Sequence, residues 1–198
     1  MKNLKEYILE SLLDDEEDLI DNDDAIIKDF LKKNYNITGS YTIKNKVVDA
    51  KGDVIVKNNK ITSLTNELFE FGKVDGAFKC FHCRSLKTLK GAPKEVSGGF
   101  YCGDCPLTSL EGAPKEINGG LYCYECPLLI SLKGAPKEVG GGLYCSYCKS
   151  LTSLEGAPKE VGGDFECYNC PKLKSLEGAP EKVGGNFSCS HCELLKIF

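Results

Sequence analysis

Twelve cysteines fall into six Cys-x-x-Cys pairs: Cys80/Cys83, Cys102/Cys105, Cys123/Cys126, Cys145/Cys148, Cys167/Cys170 and Cys189/Cys192. The first members lie 22, 21, 22, 22 and 22 residues apart. Between the pairs runs a nearly constant text, Ser-Leu-x-Gly-Ala-Pro-Lys-Glu-Val. It stands at Ser131–Val139 and Ser153–Val161, and at Ser109–Ile117 with Ile for Val. Variants occupy Thr88–Val96 and Ser175–Val183. A short unit of this kind cannot bury its apolar side alone. Stacking the units makes a continuous core, so the repeat confines the chain to a solenoid.

Within one unit, Phe165 and Cys167 alternate with polar residues, the two-residue period of a strand. Gly162 and Gly163 allow tight turns before that strand. Pro158 blocks a helix and favours extended, polyproline-like chain. Each unit therefore reads as a short strand, a turn, an extended return and a second turn.

The pattern resembles leucine-rich repeats, whose strand is written Leu-x-Leu-x-x-Asn/Cys-x-Leu. Leu151-Thr-Ser-Leu154 followed by Pro158 and Val161 is similar to the short repeats of bacterial type III-secreted leucine-rich-repeat effectors. The resemblance covers about three quarters of the chain, and these units are a residue or two longer than the effector repeats. It implies an α+β leucine-rich-repeat solenoid. Short parallel strands would line the concave face, with a polyproline-like convex side and a helical N-terminal segment. The division expected is residues 1–36 as an acidic helical cap and 37–198 as about seven solenoid units. No ligase domain follows the repeats, so the effectors' ubiquitin transfer is not implied.

The cysteines admit two readings. A Cys-x-x-Cys pair followed 17 or 18 residues later by another fits a zinc-ribbon template. The alternative is a buried ladder. Val54-Ile-Val56-Lys-Asn-Asn59 aligns without a gap on Phe100-Tyr-Cys102-Gly-Asp-Cys105, placing Val56 and Asn59 at the cysteine positions. Valine cannot bind zinc. Asn at the second position matches the ladder residue of the leucine-rich repeat, which satisfies turn backbone groups. The first Cys then reads as a small hydrophobe and the second as a weak S–H donor. No metal or other cofactor is expected on this reading; a metal or redox protein is the lesser alternative. His82 and His191 read as exposed turn residues.

The residues between the cysteines should face solvent. The first such column reads Ile55, Lys79, Tyr101, Tyr122, Tyr144, Glu166, Ser188. The next reads Lys57, Phe81, Gly103, Tyr124, Ser146, Tyr168, Ser190, and the third Asn58, His82, Asp104, Glu125, Tyr147, Asn169, His191. Six of nine tyrosines sit in these columns, and Phe81 joins them. A contiguous aromatic patch is a binding signature. If each of these seven aromatics lost ~100 Å² on contact, the sum would approach the ~800 Å² per partner of a standard interface. Phe81, Tyr101, Tyr122, Tyr124, Tyr144, Tyr147 and Tyr168, with Asp104, Glu125 and Glu166 at the margin, are the expected protein-binding residues. In leucine-rich repeats this is the concave side, where partners dock. The opposite Lys-Glu columns, from Lys94-Glu95 to Glu181-Lys182, read as solvated surface.

Residues 1–35 carry five Lys against eleven Asp or Glu. Leu4, Tyr7, Ile8 and Leu12 have helical spacing, and Asp23 and Asp24 can start a second helix with Ile26, Ile27, Phe30 and Leu31. Met1–Ser11 is similar to the head-targeting tags of tailed-phage internal proteins, which would imply a cargo packaged in a virion. Residues 37–52 look like an extended or hairpin lead-in. The last unit, ending Leu194-Leu195-Lys-Ile197-Phe198, has no polar cap, so either these residues fold back over it or two molecules pair through that end, and the pairing is the expectation.

The net charge of −4, without a basic block, argues against nucleic acid as the main partner. No apolar stretch approaches the ~18 residues of a membrane span, and no signal-peptide core is seen. A cytoplasmic chain with reduced thiols is expected. No phosphate loop, Ser/His/Asp set or convergent carboxylates occur, so the expectation is a binding module and not an enzyme.

Overall fold

The computed structural model describes residues 22–196. The first amphipathic stretch, with Leu4, Tyr7, Ile8 and Leu12, and the phage-tag similarity at Met1–Ser11 lie outside the described residues.

The repeats form a β-solenoid with two faces. One sheet stacks Val54–Val56, Phe78–Lys79, Phe100–Tyr101, Leu121–Tyr122, Leu143–Tyr144, Phe165–Glu166 and Phe187–Ser188 in parallel. These seven strands bound six turns. Tyr35–Ile37 closes this sheet, pairing antiparallel with Val54–Val56. A second sheet runs up the other side through Glu70–Val74, Glu95–Val96, Glu116–Ile117, Glu138–Val139, Glu160–Val161 and Lys182–Val183. The return segment is thus extended, and its Glu-Val dipeptides also pair with one another. The antiparallel pair Tyr41–Lys44 and Val47–Ala50 begins this sheet as a hairpin. Its turn residues Asn45 and Lys46 both have positive φ, 51° and 59°, the twist a two-residue hairpin needs.

Residues 22–34 form a helix. Ile27 and Leu31, four apart, are buried, and Phe30 packs half-buried against the core, while Ile26 faces solvent. Aromatic rings carry the contact into the solenoid: Phe30 on Phe69 at 6.0 Å, Tyr35 on Phe71 at 5.1 Å, Phe71 on Phe78 at 5.6 Å and Phe78 on Phe100 at 5.7 Å. Burial pushes the Tyr35 phenol up to about 12. At the other end Phe187 and Leu194 are exposed, and the last cysteines are only half-buried.

Two glycine positions do different work. Gly156, in Glu-Gly-Ala-Pro, has φ +82°, a region closed to most side chains. The Gly162-Gly163 pair lacks positive φ. It is needed instead for close stacking: a Cβ on Gly163 would lie 2.8 Å from the Gly142 nitrogen, and one on Gly162 would strike the Gly140 carbonyl.

The cysteines line the interior. The first of each pair from Cys80 to Cys167 is fully buried. The second donates its S–H to the carbonyl of the first Cys one turn back: Cys105 to Cys80 at 3.2 Å, Cys126 to Cys102 at 3.4 Å, Cys148 to Cys123 at 3.3 Å, Cys170 to Cys145 at 3.5 Å, and Cys192 to Cys167 at 3.2 Å. These carbonyls accept no backbone N–H among the described residues, because the pairing between turns passes over them, from Cys80 N–H on Tyr101 O to His82 N–H on Gly103 O. The thiol replaces the missing donor, and the expected ladder role is what the geometry shows.

The upstream unit departs from this. Val56 takes the first position, but Asn59 is exposed and makes no ladder bond. Its neighbour on that side is the helix end, not a repeat. Lys57 N–H donates to Asn34 O at 2.8 Å and Asn58 Nδ2 to Asn34 Oδ1 at 3.2 Å, which pulls the turn away from the ladder path.

Two predictions follow from the thiols. Cys123→Val keeps a small hydrophobe where Val56 already stands, and should cost under about 1.5 kcal/mol. Cys126→Ala orphans the Cys102 carbonyl and should cost about 1–3 kcal/mol. Urea unfolding under reductant orders the two; equal costs would contradict a donor role. The second concerns pH. Burial pushes Cys83 and Cys170 up to about 11 and Cys126 up to about 12, and holds Cys80, Cys102, Cys123, Cys145 and Cys148 well above the usual thiol range. Raised folded values mean that only the unfolded chain releases these protons first. Stability should be flat to about pH 8. Above the unfolded thiol value near 8.5 it should fall by about 1.4 kcal/mol per pH unit for each buried thiol. Unfolding midpoints measured from pH 6 to 11 test this.

Candidate functional site

The first sheet holds the three expected columns in register beyond its strands. Tyr101, Tyr122, Tyr144 and Glu166 are successive strand partners. Past the strand, Glu125 N–H donates to Ser146 O and Tyr147 N–H to Tyr168 O, so the turns stack as well. Equivalent side chains therefore stand one above another.

In the first column the rings of Tyr101 and Tyr122 stack at 4.3 Å and 1°, and those of Tyr122 and Tyr144 at 4.8 Å and 6°. Each ring lies back over a glycine two residues before it. A Cβ on Gly142 would meet the Tyr144 ring at 2.6 Å; Gly99 and Gly120 stand the same way under Tyr101 and Tyr122. Where the strand residue is Lys79, Glu166 or Ser188, that place holds Ala77, Asp164 or Asn186. Lys79 closes one end of the ladder, its Nζ 5.9 Å from the Tyr101 ring and 2.7 Å from Asp53. That bond, with the Ala77 N–H, holds the Asp53 carboxyl below the usual range.

The second column alternates large and small: Phe81, Gly103, Tyr124, Ser146, Tyr168, Ser190. The Tyr124 ring reaches over Gly103, within 3.2 Å of where a Cβ would be. In the third column His82, Asp104, Glu125, Tyr147, Asn169 and His191 all have φ between 50° and 60°. Asn and Asp tolerate that conformation, whereas Glu125 and Tyr147 are strained in it.

All ten expected binding residues lie on this one face. Phe81 and Tyr147 are exposed, 38% and 44%, while Tyr101, Tyr122, Tyr124, Tyr144 and Tyr168 are half-buried against one another. The stacked rings offer edges and hydroxyls, so the area open to a partner is smaller than free aromatics would give. Asp104 is engaged by His82 Nδ1 at 2.8 Å and Arg84 at 3.6 Å. Glu125 and Glu166 join no ion pair among the described residues. Burial raises the phenols of Tyr122, Tyr144 and Tyr168, helped by neighbouring tyrosines.

Sequence reasoning passed over Ser146. It is 3% exposed, and its Oγ has no hydrogen-bond partner. The Tyr168 phenol is near enough for Ser146 to affect its titration, but the pair does not reach hydrogen-bond geometry. The signal in the sequence was a lone hydroxyl in a column of aromatics. Leu128 and Ile130 are also exposed, at the corner after the Cys126 turn.

A concavity of about 800 Å³ lies on the second sheet between Lys115 and Val183. Its walls are lysines and glutamates over a valine floor. Ion pairs form where the last turn reverses the order, Lys159 to Glu181 at 3.3 Å and Lys182 to Glu160 at 2.5 Å. It is an open trough with neither aromatic walls nor a buried polar group lacking a partner.

The fold and the aromatic face define a repeat β-solenoid. No protein-family model, curated protein or solved structure matches the chain.

Relief of strain and of the orphan hydroxyl should both be measurable. Ser146→Ala removes an unsatisfied buried oxygen and should raise stability by about 1 kcal/mol. Tyr147→Asn, better suited to positive φ, should gain about 0.5–1 kcal/mol less its ring contact with Tyr168. Thermal unfolding checks both; a destabilised Ser146→Ala would show that the hydroxyl is satisfied.

Proposed function

We propose that this protein is a non-catalytic binding module, of the kind its resemblance to leucine-rich repeats implies, and that it grips a protein partner with the aromatic face of the first sheet. The observation that carries the reading is the in-register ladder of Tyr101, Tyr122 and Tyr144, flanked in the neighbouring columns by the edge-to-face pair Tyr147 and Tyr168. A ladder held flat over glycines is rigid before any partner arrives. Pre-ordered aromatic side chains lose little conformational freedom on binding, which favours affinity. The strain kept at Glu125 and Tyr147 supports the same reading, since strained residues concentrate at sites of function.

The test is a double replacement, Tyr122→Ala with Tyr144→Ala, beside a control pair on the other sheet, Lys115→Ala with Lys137→Ala. The tyrosine variant should lose a partner captured from native lysate by at least about tenfold, while the lysine variant keeps it. The tyrosine variant should remain folded, with stability lower by about 1–3 kcal/mol for two lost stacking contacts. Retention of every partner by a folded tyrosine variant would refute the reading.

A further inference from the structure

Ser146 stands at the centre of a three-by-three array. The turn before contributes Tyr122, Tyr124 and Glu125; its own turn contributes Tyr144 and Tyr147; the turn after contributes Glu166, Tyr168 and Asn169. All four nearest places, along the stack and across it, are tyrosines. Two corners, diagonal to each other, are carboxylates. All of these side chains except Asn169 line an open depression of about 230 Å³, with Ser146 among its lining residues.

The depression is open because its neighbours are committed elsewhere. Tyr124 leans over Gly103. Tyr147 and Tyr168 meet edge to face at 5.2 Å and 76°. Tyr144 is stacked on Tyr122. Ser146, the small member of the alternating column, lies at the base of the depression, 3% exposed, and its hydroxyl lacks a partner.

The lining selects a ligand. Tyrosine ring faces attract cations. Glu125 and Glu166 add negative charge, and neither is neutralised by an ion pair among the described residues. The Ser146 oxygen can accept a hydrogen bond, which requires a cation with N–H donors. The volume lies below the roughly 300–1,000 Å³ of drug-sized pockets, so it suits a side-chain end rather than a whole small molecule. A guanidinium spreads its donors over a rigid plane, wider than the single Ser146 acceptor can meet. A compact ammonium fits better.

We propose that the Ser146 well receives the ammonium of a lysine side chain from the protein partner, with the tyrosines as its walls and Ser146 Oγ as its hydrogen-bond acceptor. This rests on the reading of the face as a protein-binding surface and names the chemistry of its anchor.

The full chain would be titrated with n-butylammonium, the end of a lysine side chain, and followed by NMR at Ser146, Tyr147 and Tyr168. Three comparison probes are 1-butanol, tetramethylammonium and ethylguanidinium. Butylammonium should give saturating shifts confined to the well, with 1-butanol about tenfold weaker, within the range of a cation–π contribution. Tetramethylammonium and ethylguanidinium should fall between them. Ser146→Ala should reduce butylammonium to the level of tetramethylammonium and leave the latter unchanged. Glu125→Gln with Glu166→Gln should weaken both cations at least about threefold. Equal binding of 1-butanol, absence of saturating shifts in the well, tighter binding of ethylguanidinium, or indifference to Ser146→Ala would each overturn the proposal. If the well fails while the Tyr122→Ala, Tyr144→Ala variant still loses its partner, only the anchor is wrong. If the well binds butylammonium and that variant keeps every partner, only the wider reading of the face is wrong.

Discussion

One repeat must lie directly on the next, at the ~4.8 Å spacing of paired strands, with each side chain over its equivalent. Every other feature of the molecule answers to that constraint. It explains why Gly162 sits where a Cβ would strike the turn beneath. It explains why identical residues recur in columns, since a residue that packs well on its own copy can be repeated along the stack. It also creates a problem at each corner, where the pairing between turns passes over a buried carbonyl. From Cys105 to Cys192 the second cysteine of the pair solves it with an S–H donor of the right length.

The cost is sensitivity to anything that ionises or removes those thiols. A core built on cysteine is compact, because sulfur fills little more space than a methyl group and still donates a weak bond. It also ties the fold to conditions in which thiols stay protonated and reduced. The ends of the stack are the other exposure. The helix over residues 22–34 and the strand Tyr35–Ile37 close one end with aromatic contacts, while the outermost described turn at the other leaves Phe187 and Leu194 open to solvent.

The same stacking makes the aromatic face. Tyrosines at equivalent positions are forced into ring-on-ring contact, so Tyr101, Tyr122 and Tyr144 form a rigid ladder instead of three independent side chains. Charge varies along it, from Lys79 at one end to Glu166 at the other. A column that alternates large and small residues produces a well in place of a ladder. Surface detail thus follows from which residue the repeat changes, turn by turn.

Much of this was legible in the sequence. The period, the solenoid, the inward cysteines and the outward tyrosine columns all follow from spacing alone, because a repeat fixes register and a strand fixes facing. The gapless alignment of Val56 and Asn59 under the cysteines read the first position correctly and the second only in part. Asn59 left the ladder path because its neighbour is a helix end, which no repeat pattern encodes. The pairing of the Glu-Val segments into a second sheet, the positive φ shared by Tyr147 and Glu125, and the cavity at Ser146 needed three dimensions. The sequence by itself determined which residues share a column, since that depends only on period. Only the tertiary structure decided which of them touch, which hydroxyl is left without a partner and which carboxylates stay unpaired. Those depend on how far each ring leans toward its neighbour, and that is set by contacts between turns more than twenty residues apart.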